Sequence, residues 1–145
     1  MASVEYSAAL QCSAEHAWKV IRQFGSIAEW HPAIVASHIE AGHTADSIGA
    51  IRRLDLADGG VLRERLLVVD DQRRALAYSF EESALPLDNY RAHITVSEVS
   101  GESHCVVQWN ATFDVREAET AAHYEALISS LIIEGHNSLA LFLQA

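Results

Sequence analysis

The chain has 145 residues, of which 50% are hydrophobic and 21% charged, and its 10 Lys+Arg against 20 Asp+Glu give a formal net charge of −10. That length suits one globular domain spanning residues 1–145 around one core. The acidic balance excludes nucleic-acid phosphate and an anionic lipid surface as partners, and no run of about 18 apolar residues marks a stable membrane insertion.

Residues 3–12, SVEYSAALQC, alternate apolar and polar, which predicts a half-buried strand. Ser13 follows as an N-cap with an acid in the first turn, and Ala17, Trp18, Ile21 and Phe24 fall at helical spacing over residues 14–24. Gly25 is read as the end of that helix. Residues 26–33 read as a second short helix or turn stopped by Pro32. Six strands are then expected, at about 34–41, 48–56, 61–70, 75–83, 89–99 and 103–114, separated by turn-forming residues. From Glu117 to Leu143 the apolar spacing changes to three and four, which predicts one long amphipathic helix. Gly135 inside it suggests room for something packed against the helix, or a tolerated defect. A run of strands with segregated helices is an α+β arrangement.

Parity assigns the strand faces. Cys105, Val107, Trp109, Ala111 and Phe113 share one face of the last strand, and Tyr90, Ala92, Ile94 and Val96 one face of the strand before it. Leu76, Tyr78 and Phe80 follow the same rule, as do Leu62, Leu66 and Val68. The last phase also carries Glu64 inward. A buried carboxylate needs a partner or a raised pKa. Arg52 is in phase with Leu54 and Leu56 on the preceding strand, so an Arg52–Glu64 pair is expected, either as a structural ion pair or as a polar anchor. Such a pair lowers the Glu64 pKa and makes it a weak base. With Tyr78, Tyr90 and Trp109 on the same wall, the pattern suits an apolar pocket with a few polar groups.

Eight histidines and two cysteines are present, without HExxH or CxxC spacing, so neither a metal site nor a cofactor is expected. Cys12 and Cys105 read as buried thiols in a reducing cytoplasm. The Gly-rich LADGGV lies between strands and is read as a hairpin rather than a phosphate cradle.

The stretches AEHAWKVIRQFGSIAEWHPAI, IRRLDLADGGVLRERLLVVDD, RALAYSF, LPLDNYRAHITV and VVQWNATFDV, with the C-terminal helix, resemble the SRPBCC superfamily, also called START or birch-pollen-allergen-like. The likeness covers residues 2–143 and is greatest to the bacterial polyketide cyclase/dehydrase and lipid-transport group. It implies a helix-grip fold: a seven-stranded curved antiparallel sheet wrapped around the long C-terminal helix, two short helices after the first strand, and a hydrophobic cavity between sheet and helix. The strand order it implies is 2-1-7-6-5-4-3, which brings Cys12 near Cys105 and makes a disulfide conceivable. Segments are also similar to the plant abscisic-acid receptors, and by that match Arg52, Leu54, Glu64, Tyr78, Phe80 and Tyr90 fall on ligand-cavity positions. The receptors' carboxylate-binding lysine corresponds to Val35, their gate to a shortened Ala57–Gly60 and their latch to Ala84–Asp88.

The resemblance implies binding of a small hydrophobic or aromatic ligand, lipid or polyketide-like, by a monomer or homodimer. Leu54, Leu62, Tyr78, Phe80, Tyr90, Trp109, Ile128, Leu131 and Ile132 are the expected lining, with Arg52 and Glu64 fixing orientation and Trp30 and His31 near the entrance. The alternative is a metal-free polyketide cyclase, aromatase or dehydratase in which Glu64, His31 or Tyr90 moves protons. A third reading is a protein-interaction or stress-related module, which needs no open cavity.

Overall fold

The computed structural model describes residues 1–44 and 47–144. Seven strands form one antiparallel sheet: β1 (Ala2–Leu10), β2 (Ile34–Ile39), β3 (Ile51–Leu56), β4 (Val61–Asp70), β5 (Ala75–Ser83), β6 (Leu87–Glu98) and β7 (Cys105–Val115). Helix α1 (Ala14–Ile21) and a 3₁₀ turn (Phe24–Glu29) lie between β1 and β2, and α2 (Ala121–Gln144) ends the chain after a short 3₁₀ turn at Ala118–Thr120. The helix-grip architecture expected from the sequence is the one observed.

The strand order is β1-β7-β6-β5-β4-β3-β2, which corrects the expected order 2-1-7-6-5-4-3. Strand β2 does not flank β1. It pairs antiparallel with β3, Ile39 opposite Arg52, at the far edge. β3 is the next strand along the chain and pairs with β2, whereas α1 and the 3₁₀ turn carry the chain away from β1. The adjacency of β1 and β7 stands, with Leu10 opposite Cys105.

Bulges bend the sheet where the register shifts, at Ile34/Ala36, Arg63/Glu64, Leu66/Val68 and Asp88/Arg91. Each also resets parity. Val68, expected inside, is 37% exposed because the extra residue before it turns it outward. Val35, beside the β2 shift, is 66% exposed and points away from the interior.

Ser13 caps α1 by accepting the His16 N–H at 3.1 Å. The helix stops at Ile21, three residues earlier than predicted, and Phe24 opens the 3₁₀ turn instead. Gly25 does not end α1. A Cβ there would stand 2.8 Å from Ile39 Cγ1, so the glycine lets the turn lie against β2. Trp18 Nε1–H and Arg22 both donate to Asp71, which ties α1 to the β4–β5 turn.

Helix α2 buries Ile128, Ile132 and Leu139 of the predicted apolar spacing, together with Gly135 and His136, whereas Phe142 of that spacing is exposed. Together with the preceding turn it is long and apolar enough to cross a membrane by length and composition, although the sequence holds no unbroken apolar run of that length. In the fold it packs against β1 and β7 on the concave side.

Candidate functional site

Between the sheet and α2 lies a cavity of about 250 Å³. Arg52 and Leu54 reach it from β3, Leu62 and Glu64 from β4, and Tyr78 and Phe80 from β5. Tyr90 and Trp109 come from β6 and β7; α2 closes the other side with Leu127, Ile128, Leu131 and Ile132. Ala57, Asp58 and Leu85, on the β3–β4 and β5–β6 connections, include its exposed rim.

Arg52 and Glu64 are direct cross-strand partners, as parity predicted. Both are 4% exposed. Arg52 donates from Nε to Glu64 Oε1 at 2.8 Å, and its Nη2 lies 2.7 Å from the same oxygen as an ion pair. Its Nη1 donates to the Phe24 carbonyl at 3.0 Å. The guanidinium lies 3.9 Å from the Phe24 ring centroid and 4.7 Å from that of Tyr78. Two π-faces thus replace the water that a buried cation loses. Burial raises the Glu64 pKa, and the Arg52 charge and hydrogen bond oppose that shift. This reverses the expected direction, because desolvation outweighs pairing at a site this dry. Burial likewise raises the Tyr78 and Tyr90 phenols well above their ordinary range, with the Glu64 charge adding to both.

The Phe80 and Tyr90 rings stack at 3.8 Å with 5° between planes, and Tyr90 leans on Phe113 behind it. Trp109 lines the cavity with its Nε1–H buried, turned towards the Tyr78 side chain but in no well-formed hydrogen bond.

His31 lines the cavity from inside rather than at the entrance, 5% exposed. Its Nδ1 accepts from Ala33 N–H at 3.2 Å and its Nε2 donates to the Leu131 carbonyl of α2 at 2.9 Å. Those partners require the neutral ring with the proton on Nε2. Gly135 permits the approach: a Cβ there would lie 2.7 Å from His31 Cδ2 and 3.1 Å from Trp109 Cζ3. The glycine therefore makes room for a packed neighbour. Trp30 also departs from the expected entrance. It is 6% exposed, is not in the cavity lining and packs edge-on against Trp109 at 6.2 Å. A large ring following the 3₁₀ turn is buried most fully by turning inward.

The structure thus brings every other expected site residue to one cavity. Sequence reasoning did not place Leu127 or Ile27 in the lining, while Leu85 lies in the segment matched to the receptors' latch. Leu127 was findable, since it sits one turn before Leu131 on the same helix.

A family model described as polyketide cyclase/dehydrase and lipid transport matches residues 1–134. The chain belongs to that family. A protein from Thermobifida fusca shares 30% identity with this polyketide cyclase/dehydrase and lipid transport member, over 99% of this chain and 93% of its own, with a TM-score of 0.88. The protein XoxI from Bacillus cereus shares 28% identity over 99% and 96% of the two chains, with a TM-score of 0.87. A START superfamily protein from Mycobacterium smegmatis, at 14% identity, matches over 99% and 98% with a TM-score of 0.82 and so shares the fold. Family and fold together support a ligand-binding role. Among the described residues, no group of three or more His, Cys, Asp or Glu is arranged to hold a metal ion.

Proposed function

We infer that the chain binds a small hydrophobic or aromatic molecule between the sheet and α2. One observation carries this reading: the interior keeps an apolar space of about 250 Å³ with a buried Arg52–Glu64 pair in its wall. A protein-interaction module would have no use for that space, and filling it with larger side chains would stabilise the core. Binding draws on apolar burial, at about 25 cal/mol for each Å² removed from water. Native mass spectrometry of the purified protein, with extraction of any retained molecule, tests it. A co-purified compound released by Tyr90→Ala supports the reading. Failure to retain or take up any apolar small molecule sinks it.

A second reading, proton transfer during a cyclisation or dehydration, is favoured by the raised Glu64 pKa, which suits a general acid or base better than an ordinary carboxylate. The other candidates fit less well. His31 has both ring nitrogens engaged, and the raised Tyr90 phenol holds its proton too tightly at neutral pH. Turnover of a candidate substrate that Glu64→Gln leaves unchanged would remove Glu64 from such a mechanism.

A further inference from the structure

We propose that Asn89 is a positioning residue for the ligand site: its left-handed backbone makes the bulge in β6 that turns Tyr90 inward and offers the ring's hydroxyl edge to a ligand carbonyl. The proposal rests on the small-molecule reading above and deepens it.

The bulge is written in the register. Arg91 stands opposite Thr112 and Asp88 opposite Asp114, so Asn89 and Tyr90 together face the single Phe113 on β7. An extra residue of this kind re-aims the side chains around it. Leu87, Tyr90 and Ala92 are all buried, whereas Asp88 and Asn89 are exposed. In an unbroken strand Leu87 and Tyr90 would point to opposite faces. Strict alternation that buried Leu87 would therefore turn Tyr90 out of the cavity.

Asn89 carries the bulge. Its φ is 54°, a conformation that strains β-branched residues and that glycine adopts freely. The other described non-glycine residue with a positive φ, Arg74, lies in the β4–β5 turn. Asn89 instead sits within a strand, next to a residue of the cavity wall, and backbone of this kind gathers at binding sites. Its Nδ2 donates to Asp114 Oδ2 at 2.9 Å on the exposed side of the sheet.

Tyr90 is thereby placed edge-first. Strand β6 lies between β5 and β7, so Phe80 and Phe113 flank the Tyr90 ring from opposite sides, with centroids at 3.8 Å and 6.1 Å. With both faces against rings, the edge and the hydroxyl are left for a ligand. Among the described residues, the side-chain polar atoms that are both sealed and unpartnered are Trp109 Nε1 and the two His136 nitrogens. The Tyr90 hydroxyl also has no hydrogen-bond partner among the described residues, but it is not sealed, and Tyr90 lines the cavity. Burial raises its pKa, so at neutral pH it keeps its proton and donates.

The test is fluorescence titration of the full chain with a pair of neutral probes of like shape, 2-acetylnaphthalene and 2-ethylnaphthalene. Wild type should bind the ketone about fivefold more tightly than the hydrocarbon, and Tyr90→Phe should bring that ratio to about one. Asn89→Gly and Asn89→Val both lose the bond to Asp114, but only the first keeps the left-handed backbone without strain. Asn89→Gly should hold the wild-type ratio and Asn89→Val should lose it, with melting curves showing both folded at the assay temperature. A wild-type ratio of about one, or a ratio that Tyr90→Phe or Asn89→Val leaves intact, overturns the proposal while small-molecule binding stands. Loss of the ratio in Asn89→Gly would assign the effect to the Asp114 bond and also overturns it. If Asn89→Val does not fold, Asn89→Ala decides: its ratio should fall below that of wild type, and an unaltered ratio overturns the proposal. Binding of neither probe overturns both readings.

Discussion

Arg52 and Glu64 face each other across β3 and β4 with almost no exposure, so their worth depends on each other. Removing one partner strands the other. Glu64→Leu is expected to cost about 3–5 kcal/mol, whereas Arg52→Met with Glu64→Leu should return to wild-type stability or exceed it. Urea melts of both single variants and the double variant check this; a double variant as unstable as the singles would refute it. A second residue-scale test concerns Gly135. Alanine in a helix interior normally gains about 1 kcal/mol over glycine. Here the new Cβ meets His31 and Trp109, so Gly135→Ala should lose about 1–3 kcal/mol through overpacking. Placed on a His31→Ala background, the same change should cost much less, and thermal melts of the four-member cycle read the difference. The inward phase of Glu64 and its pairing with Arg52 were legible because period two is a property of any strand. The direction of the Trp109 N–H was not, because parity sets the face of a side chain and leaves the rotation of its ring open. Nor was His31, whose position after a 3₁₀ turn follows no period; Gly135 alone hinted that something pressed on α2.

At the scale of elements, the sequence located the strands and the long helix but missed where they change course. Each bulge adds one residue to one strand, and the pattern around it still alternates locally. That is why Leu62, Glu64 and Leu66 were assigned correctly and Val68, past the Leu66/Val68 shift, was not. The end of α1 failed for a related reason: Phe24 keeps a helical interval from Ile21 while the backbone has already tightened into the 3₁₀ turn. Strand order lay beyond any local pattern. What fixes the far edge is the seating of that turn on β2, where Ser37 Oγ donates to the Gly25 carbonyl at 2.8 Å and accepts the Ala28 N–H at 3.1 Å. Gly25 lies against Ile39 in the same seam. Gly25→Ala is therefore expected to destabilise by about 1–3 kcal/mol. Ile39→Ala should absorb part of that loss in the double variant, and simple additivity of the two in denaturant melts would show that they do not share the seam.

For the molecule as a whole, acid sensitivity follows from three histidines. Burial holds His31, His93 and His136 below the ordinary value of 6.5. For His31 the Leu131 carbonyl and Glu134 oppose the shift and Arg52 reinforces it. For His93 Arg91 reinforces it and Asn110 opposes. His136 sits edge-on to Tyr6 with neither nitrogen in a well-formed hydrogen bond, the Ala8 backbone and Asn137 side chain only moderating the shift. A base with a depressed folded pKa binds protons more readily when unfolded, so stability is full above 6.5 and falls as pH drops through the folded values. Glu64 has the opposite sign. Its raised carboxyl takes up a proton more readily in the fold, so it returns some stability as pH falls towards its ordinary 4.5. The paired carboxylates Glu40 and Glu81 are held below 4.5, and Asp71 and Asp88 below 3.8, so their losses come later. The first loss on acidification thus belongs to the histidines, and His136 isolates it. His136→Leu removes two unsatisfied nitrogens and should stabilise by about 1 kcal/mol at neutral pH. It should stabilise more at about pH 5, where the wild type also bears the protonation cost. Thermal melts at both pH values distinguish the two contributions: an equal gain at each would mean that His136 does not drive the acid response, and a smaller gain at low pH would contradict its depressed pKa.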